Sequence, residues 1–126
     1  MTKQKRPITA TVITLNEERN IEACIQSFNS IVDEIIVVDS GSTDRTRRLA
    51  ESAGATVIEQ PYLGDGPQKA VGADFARNDW ILSVDADERL GEDATREIGL
   101  LDLSDKSKAY AFWRKNFVGN HWIKAA

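Results

Sequence analysis

The chain has one cysteine and one histidine in 126 residues. A lone Cys24 excludes an internal disulfide and a cysteine-built zinc site, and its place in a helical pattern marks it as a buried structural thiol. No segment approaches the ~18 consecutive apolar residues of a membrane span. No apolar run directly follows the basic N-terminus either, so no signal peptide is expected. Positive charge does not dominate: 16 Lys and Arg stand against 20 Asp and Glu, for a net charge of −4. That balance argues against a nucleic-acid-binding domain, which carries a basic face. Two short basic clusters exist, Lys3, Lys5 and Arg6 at the start and Arg45, Arg47 and Arg48 further on. Each reads either as peripheral contact with the anionic face of the inner membrane or as solvated surface charge. The G-x-G-x-x-G fingerprint and the Walker A loop are both missing, which excludes a standard dinucleotide site and a P-loop. The expectation is a single cytoplasmic domain over residues 1–126.

What is present alternates between strand and helix. Ile8 to Leu15 reads as a first strand, rich in β-branched residues. Asn16 is expected to cap a helix carrying Ile21, Cys24, Ile25 and Phe28 at helical spacing, with Glu17 and Glu18 in its first turn. Glu34 to Val38 is a second strand that ends at Asp39. Ser42 is expected to cap a second helix through Leu49 and Ala53, stopped by Gly54. Thr56 to Glu59 is a short third strand and Gln60 to Gly66 a loop. Pro67 suits the first turn of a third helix through Val71 and Phe75. Trp80 to Val84 is a fourth strand, Glu92 to Leu101 a fourth helix, Asp102 to Lys108 a polar connection and Tyr110 to Lys115 a fifth strand. Gly119 to Trp122, which contains His121, reads as a turn. This order implies a three-layer α/β/α architecture with a mostly parallel sheet and right-handed crossovers.

In such a sheet the strands' carboxyl ends share one rim, where ligands bind. Three polar clusters fall there: Asn16-Glu17 after the first strand, Asp39-Ser40-Gly41-Ser42 after the second, and Asp85-Ala86-Asp87-Glu88 after the fourth. One acidic turn after a strand is common. Three polar strand ends on one edge make a site. In the second cluster, free N–H groups at the start of the following helix are expected to receive a ligand's polar groups. Carboxylates ~4 Å apart repel by about 4 kcal/mol at an effective dielectric of 20. A divalent cation removes that repulsion, so Asp85 and Asp87 suggest a metal-assisted site for a phosphate-bearing ligand.

Leu15-Asn16-Glu17-Glu18, then Val38-Asp39-Ser40-Gly41-Ser42-Thr43-Asp44, then Lys69 and Gly72 before Asp85-Ala86-Asp87-Glu88, resembles glycosyltransferase family 2 in both order and spacing. Tyr110 through Trp122 is similar to the branch that adds glucose to the lipopolysaccharide inner core. The resemblance implies the GT-A fold and inverting sugar transfer from a nucleotide diphosphate, with a UDP-sugar as donor and a glycan or lipopolysaccharide core as acceptor. It implies that Asn16 and Glu17 line the nucleotide pocket and that Asp39 and Ser40 contact the base. Ser40 departs from the family's second acid, which leaves a hydrogen bond in place of a charged contact. Lys69 is either a diphosphate contact or a solvated helix lysine. Asp85 would meet the ribose or the metal, and Asp87 would hold Mg²⁺ or Mn²⁺.

Inverting transfer also needs a base for the acceptor hydroxyl. In the family that carboxylate follows the Asp-x-Asp by a long interval. The expectation is therefore a GT-A domain incomplete at its C-terminus, the nucleotide-sugar-binding half, with no catalytic residue in this chain and the base beyond Ala126. Glu88 is read as a supporting carboxylate. The other readings are a non-catalytic nucleotide-binding domain and a response-regulator-like phosphoacceptor built on Glu17, Glu18 and Asp39. An uncovered apolar sheet edge near Phe112 and Trp113 suggests a homodimer.

Overall fold

The computed structural model describes residues 5–106, 109–113 and 120–125, with side chains over 5–106. The elements are β1 (Arg6–Thr14), α1 (Ile21–Gln26), β2 (Val32–Asp39), α2 (Thr46–Ser52), β3 (Thr56–Glu59), α3 (Asp65–Phe75), β4 (Trp80–Asp85), α4 (Glu92–Leu100), β5 (Ala109–Trp113) and β6 (Asn120–Ala125). They form one six-stranded sheet in the order β3-β2-β1-β4-β6-β5. The first four strands of that order are parallel, while β6 runs antiparallel to both β4 and β5. The α/β reading with a mostly parallel sheet holds.

β1 is the centre of the parallel part. Its β-branched residues suit a pleated strand, and it is buried from Ile8 to Val12 on both faces, as expected of a strand covered by helices on each side. Ile8, Ala10 and Val12 join Ile35, Val37, Leu82 and Val84 in a core completed by Ile21, Cys24, Ile25 and Phe28 before β2, by Ala50 of α2, and by Ala94 and Ile98 of α4. The alternate residues face α3. A Cβ on Gly72 would stand 3.1 Å from Thr11 Cγ2 and 3.3 Å from Val38 Cγ2, so a larger residue there would press on Thr11 and Val38 where this helix lies over β1 and β2. The carboxyl end of α4 is closed by Arg6, whose guanidinium donates to the carbonyls of Ile98 (2.9 Å) and Leu101 (2.7 Å).

The structure corrects three expectations. α1 begins at Ile21, not after Asn16, and Glu17 and Glu18 precede it in a separate turn. α2 begins at Thr46, and no side chain caps it from Ser42. Asn120–Ala125 is a strand paired with β4, not a turn. Only a short apolar run follows the turn-forming Gly119 and Asn120, and pairing with two neighbours outweighs that local preference. Members of the basic clusters also make bonds within the chain: Lys5 Nζ donates to the Asn29 carbonyl, Arg6 closes α4, Arg45 pairs with Glu18, and Arg47 pairs with Glu59.

Among the described residues, no helix is long and apolar enough to cross a membrane. β5 is an edge strand, where the sequence suggests pairing between copies. Lys3, Lys115 and the Gly119 turn position lie outside the described residues, as do the side chains of Tyr110, Phe112, Trp113, His121 and Trp122.

Candidate functional site

Strand register brings the three polar clusters together. Thr14 stands opposite Asp39, and Ile13 opposite Asp85, so β1, β2 and β4 end side by side. The loops after β1 and β2 are then stitched to each other. Successive backbone N–H groups of Asn16, Glu17 and Glu18 donate to Ser42 Oγ (2.8 Å), Thr46 Oγ1 (2.8 Å) and Asp44 Oδ2 (3.3 Å). In return, Asn16 Oδ1 accepts the Thr43 N–H (2.8 Å) and Glu18 Oε2 the Arg45 N–H (3.2 Å). Asn16 takes the left-handed conformation, φ 53°, that asparagine tolerates better than most side chains. It is thus a loop-to-loop bridge rather than a helix cap.

Asp39 lies at the centre of this lacing, with no exposed surface. Its Oδ1 accepts the hydroxyls of Thr14 (2.7 Å) and Ser42 (2.5 Å), and its Oδ2 accepts the N–H groups of Gly41 (3.1 Å) and Ser42 (2.8 Å). Arg47 Nε stands 3.9 Å away. Burial works against the charge, but the Ser42 hydroxyl and N–H, with Thr14 and Gly41, outweigh it and hold the carboxyl below its ordinary range. Gly41, at φ 105°, makes the turn that aims both N–H groups at it. In this conformation Asp39 presents nothing to a ligand; it builds the loop. Asp44 is likewise held below the usual range. Burial opposes the shift, and the Thr46 hydroxyl and N–H and the Glu18 N–H more than reverse it. The backbone N–H groups of Gly41, Ser42, Thr43, Arg45 and Thr46 all have protein acceptors. Those five donors are therefore engaged within the protein.

Asp85 and Asp87 are different: both are exposed at the end of β4. The turn between them is tied by two bonds, Asp85 N–H to Glu88 Oε1 (3.0 Å) and Glu88 N–H to the Asp85 carbonyl (2.9 Å). Glu88 is thereby the support of this turn, and Cys24 Sγ sits 3.5 Å from the same Asp85 carbonyl, donating from below. Among the described residues, no group of three or more His, Cys, Asp or Glu converges on one point. Two exposed carboxylates still fit a hard cation, because oxygen atoms of a bound phosphate and water complete such a shell.

Beside them, Ile13, Thr14, Leu15, Glu17, Ser40 and Tyr62 line a cavity of about 260 Å³. Ser40 and Glu17 are both part of its lining. Lys69 is exposed on α3, and among the described residues no bond joins it to Asp85 or Asp87. Sequence reasoning missed Leu15, Tyr62 and Gln68. Gln68 is fully buried, and its side-chain amide donates to Ser40 Oγ (3.2 Å) and the Gln60 carbonyl (3.0 Å) while its Oε1 accepts the Leu63 N–H (3.0 Å). Tyr62 donates its hydroxyl to Asp65, and this acceptor, with lesser help from burial and charge, raises the phenol above its ordinary value. A polar residue at a helix start carries no local sign of such distant partners.

Comparison with known proteins gives three kinds of match. Residues 9–121 fit the family model for glycosyl transferase family 2. The chain is 45% identical over 116 residues to an uncharacterized glycosyltransferase of Rickettsia bellii, covering 92% of this chain and 40% of that protein. It is 38% identical over 115 residues to the lipopolysaccharide core biosynthesis glycosyltransferase LpsC of Rhizobium meliloti, covering 87% and 42%. In structure it resembles glucosyl-3-phosphoglycerate synthase from Mycobacterium tuberculosis, solved with Mn²⁺, UDP and glucosyl-3-phosphoglycerate. The TM-score is 0.54 at 30% identity, over 65% of this chain and 35% of that one. The chain spans about 40% of the length of the curated relatives it matches.

Proposed function

This chain belongs to glycosyl transferase family 2, and on that premise we propose that its sheet rim binds the UDP-sugar donor of an inverting glycosyltransferase together with Mg²⁺ or Mn²⁺. The observation that carries the reading is the pair of exposed carboxylates at Asp85 and Asp87, without side-chain partners among the described residues, set beside a cavity at the ends of β1 and β2. Asp87 and Asp85 are the residues that would hold the cation. When bound, it supplies positive charge to the departing diphosphate. Glu17 and Ser40 face the nucleotide, Asn16 and Asp39 fix the loops that present them, and Lys69 is the cation of this chain assigned to the diphosphate. No residue here is assigned as the base. The similarity to LpsC supports a glycan or lipid-linked acceptor of the lipopolysaccharide core type.

The test is calorimetric titration of UDP with and without Mn²⁺. The expected outcome is saturable binding that tightens at least tenfold, by about 1.4 kcal/mol, when Mn²⁺ is present. No binding in either condition overturns the reading. Release of UDP from UDP-glucose separates a catalytic chain from one that only binds.

A further inference from the structure

Resting on that donor-site reading, we infer that Tyr62 is the wall that stacks on the donor's base, and that Gln68 is the positioning residue that holds it there. The cavity beside the Asp85–Asp87 turn has a definite character. Of its three large apolar side chains, Ile13, Leu15 and Tyr62, the last two are 56% and 59% exposed. They come from different loops, one after β1 and one before α3. Apolar surface left open at the mouth of a cavity, with a few polar groups beside it, is the pattern of a ligand pocket. The polar groups here are Thr14, Glu17 and Ser40. At about 260 Å³ the space falls below the ~300 Å³ at which clefts for drug-sized ligands begin. It suits one ring system rather than a whole nucleotide sugar. Aromatic side chains bind bases through their faces, and every base has one.

The support beneath Tyr62 is specific. A loop tip carrying an exposed aromatic would ordinarily be mobile and pay an ordering cost on binding. Here the tip is bracketed. Gln60 N–H donates to the Asp39 carbonyl (2.8 Å), Leu63 N–H donates to Gln68, and the Gln68 amide donates back to the Gln60 carbonyl and across to Ser40 Oγ. The Tyr62 hydroxyl is held by Asp65 at the start of α3. A single buried side chain therefore sets the spacing between Ser40 at one edge of the cavity and Tyr62 at another.

The experiment titrates UDP and inorganic pyrophosphate, each with Mg²⁺, into the wild-type chain and into Tyr62→Ala, Tyr62→Phe and Gln68→Ala, with melting curves alongside. Tyr62→Ala is expected to weaken UDP about tenfold, within the range for losing one base–aromatic stack, while leaving pyrophosphate and the melting temperature unchanged. Tyr62→Phe keeps the ring and is expected to stay within about twofold of wild type. Gln68→Ala is expected to lower UDP affinity and leave pyrophosphate affinity alone, a split that a merely structural loss would not produce. Unchanged UDP affinity in Tyr62→Ala overturns the inference, and so does an equal loss for pyrophosphate. Wild-type chain that binds neither ligand fails the donor reading itself and takes this inference with it.

Discussion

Asp39→Ala is expected to cost at least about 3 kcal/mol of stability, since hydrogen bonds to a charged group contribute ~1.5–3 kcal/mol each. Removing this carboxylate deprives two hydroxyls and two N–H groups of their acceptor at once. The total stability of a domain is only ~5–15 kcal/mol, so urea melts read the loss directly. Asp39→Asn is expected to cost less. Its carbonyl still meets the Gly41 and Ser42 N–H groups, and the Thr14 and Ser42 hydroxyls can rotate to accept from its amide. The same carboxylate gives a pH signature. Its folded value lies below its ordinary 3.8, so the unfolded chain takes up the proton first as pH falls. The stabilisation is complete above the unfolded value and is lost as pH falls through the lower folded one. Asp39→Asn removes that contribution and flattens the acid limb of the stability curve, while Asp44, also held low, keeps its share.

The second large effect is on the ligand. Asp87→Ala is expected to leave the melting temperature of the free chain unchanged, because the side chain is exposed and has no partner among the described residues. It is expected to weaken UDP binding in Mn²⁺ by about thirtyfold or more. One unit charge at ~4 Å from a divalent ion contributes about 2 kcal/mol even at the dielectric of water. Without Mn²⁺, the variant and the wild type should bind UDP within about threefold of each other. Calorimetry across these four combinations checks both halves. Equal losses with and without the metal would make Asp87 a direct nucleotide contact or a fold element instead.

How far such a site can be read from a sequence depends on the range of the interactions that build it. The ends of β2 and β4 were legible. Parallel strands buried on both faces run as apolar blocks, and each stops abruptly, at Asp39 and at Asp85. β3 was legible to the residue, from Thr56 to Glu59. The starts of α1 and α2 were not. Asn16 and Ser42 have the side-chain chemistry of helix caps, but Asn16 instead bonds to Thr43, and Ser42 to Asp39 and to the Asn16 N–H. Local chemistry allows both arrangements, and a partner about 27 positions away decides. Asp39 shows the same limit. Its position at the rim follows from the pattern, whereas its complete engagement by four donors follows only from the fold. Gln68 reads as an ordinary polar helix residue until the chain brings Ser40 against it.

The most direct test of a donor and cation at this rim is a pair of amide NMR spectra recorded with UDP, one before and one after a trace of paramagnetic Mn²⁺. The expected result is broadening centred on Asp85, Ala86 and Asp87, extending to Ser40 and Glu17, strongly enhanced by UDP, with Ile98 and Leu100 at the carboxyl end of α4 left sharp. The contradicting result is broadening centred on the larger cavity of about 630 Å³ between α2 and β3, where Asp44, Glu51 and Glu59 supply the acids, or broadening indifferent to UDP.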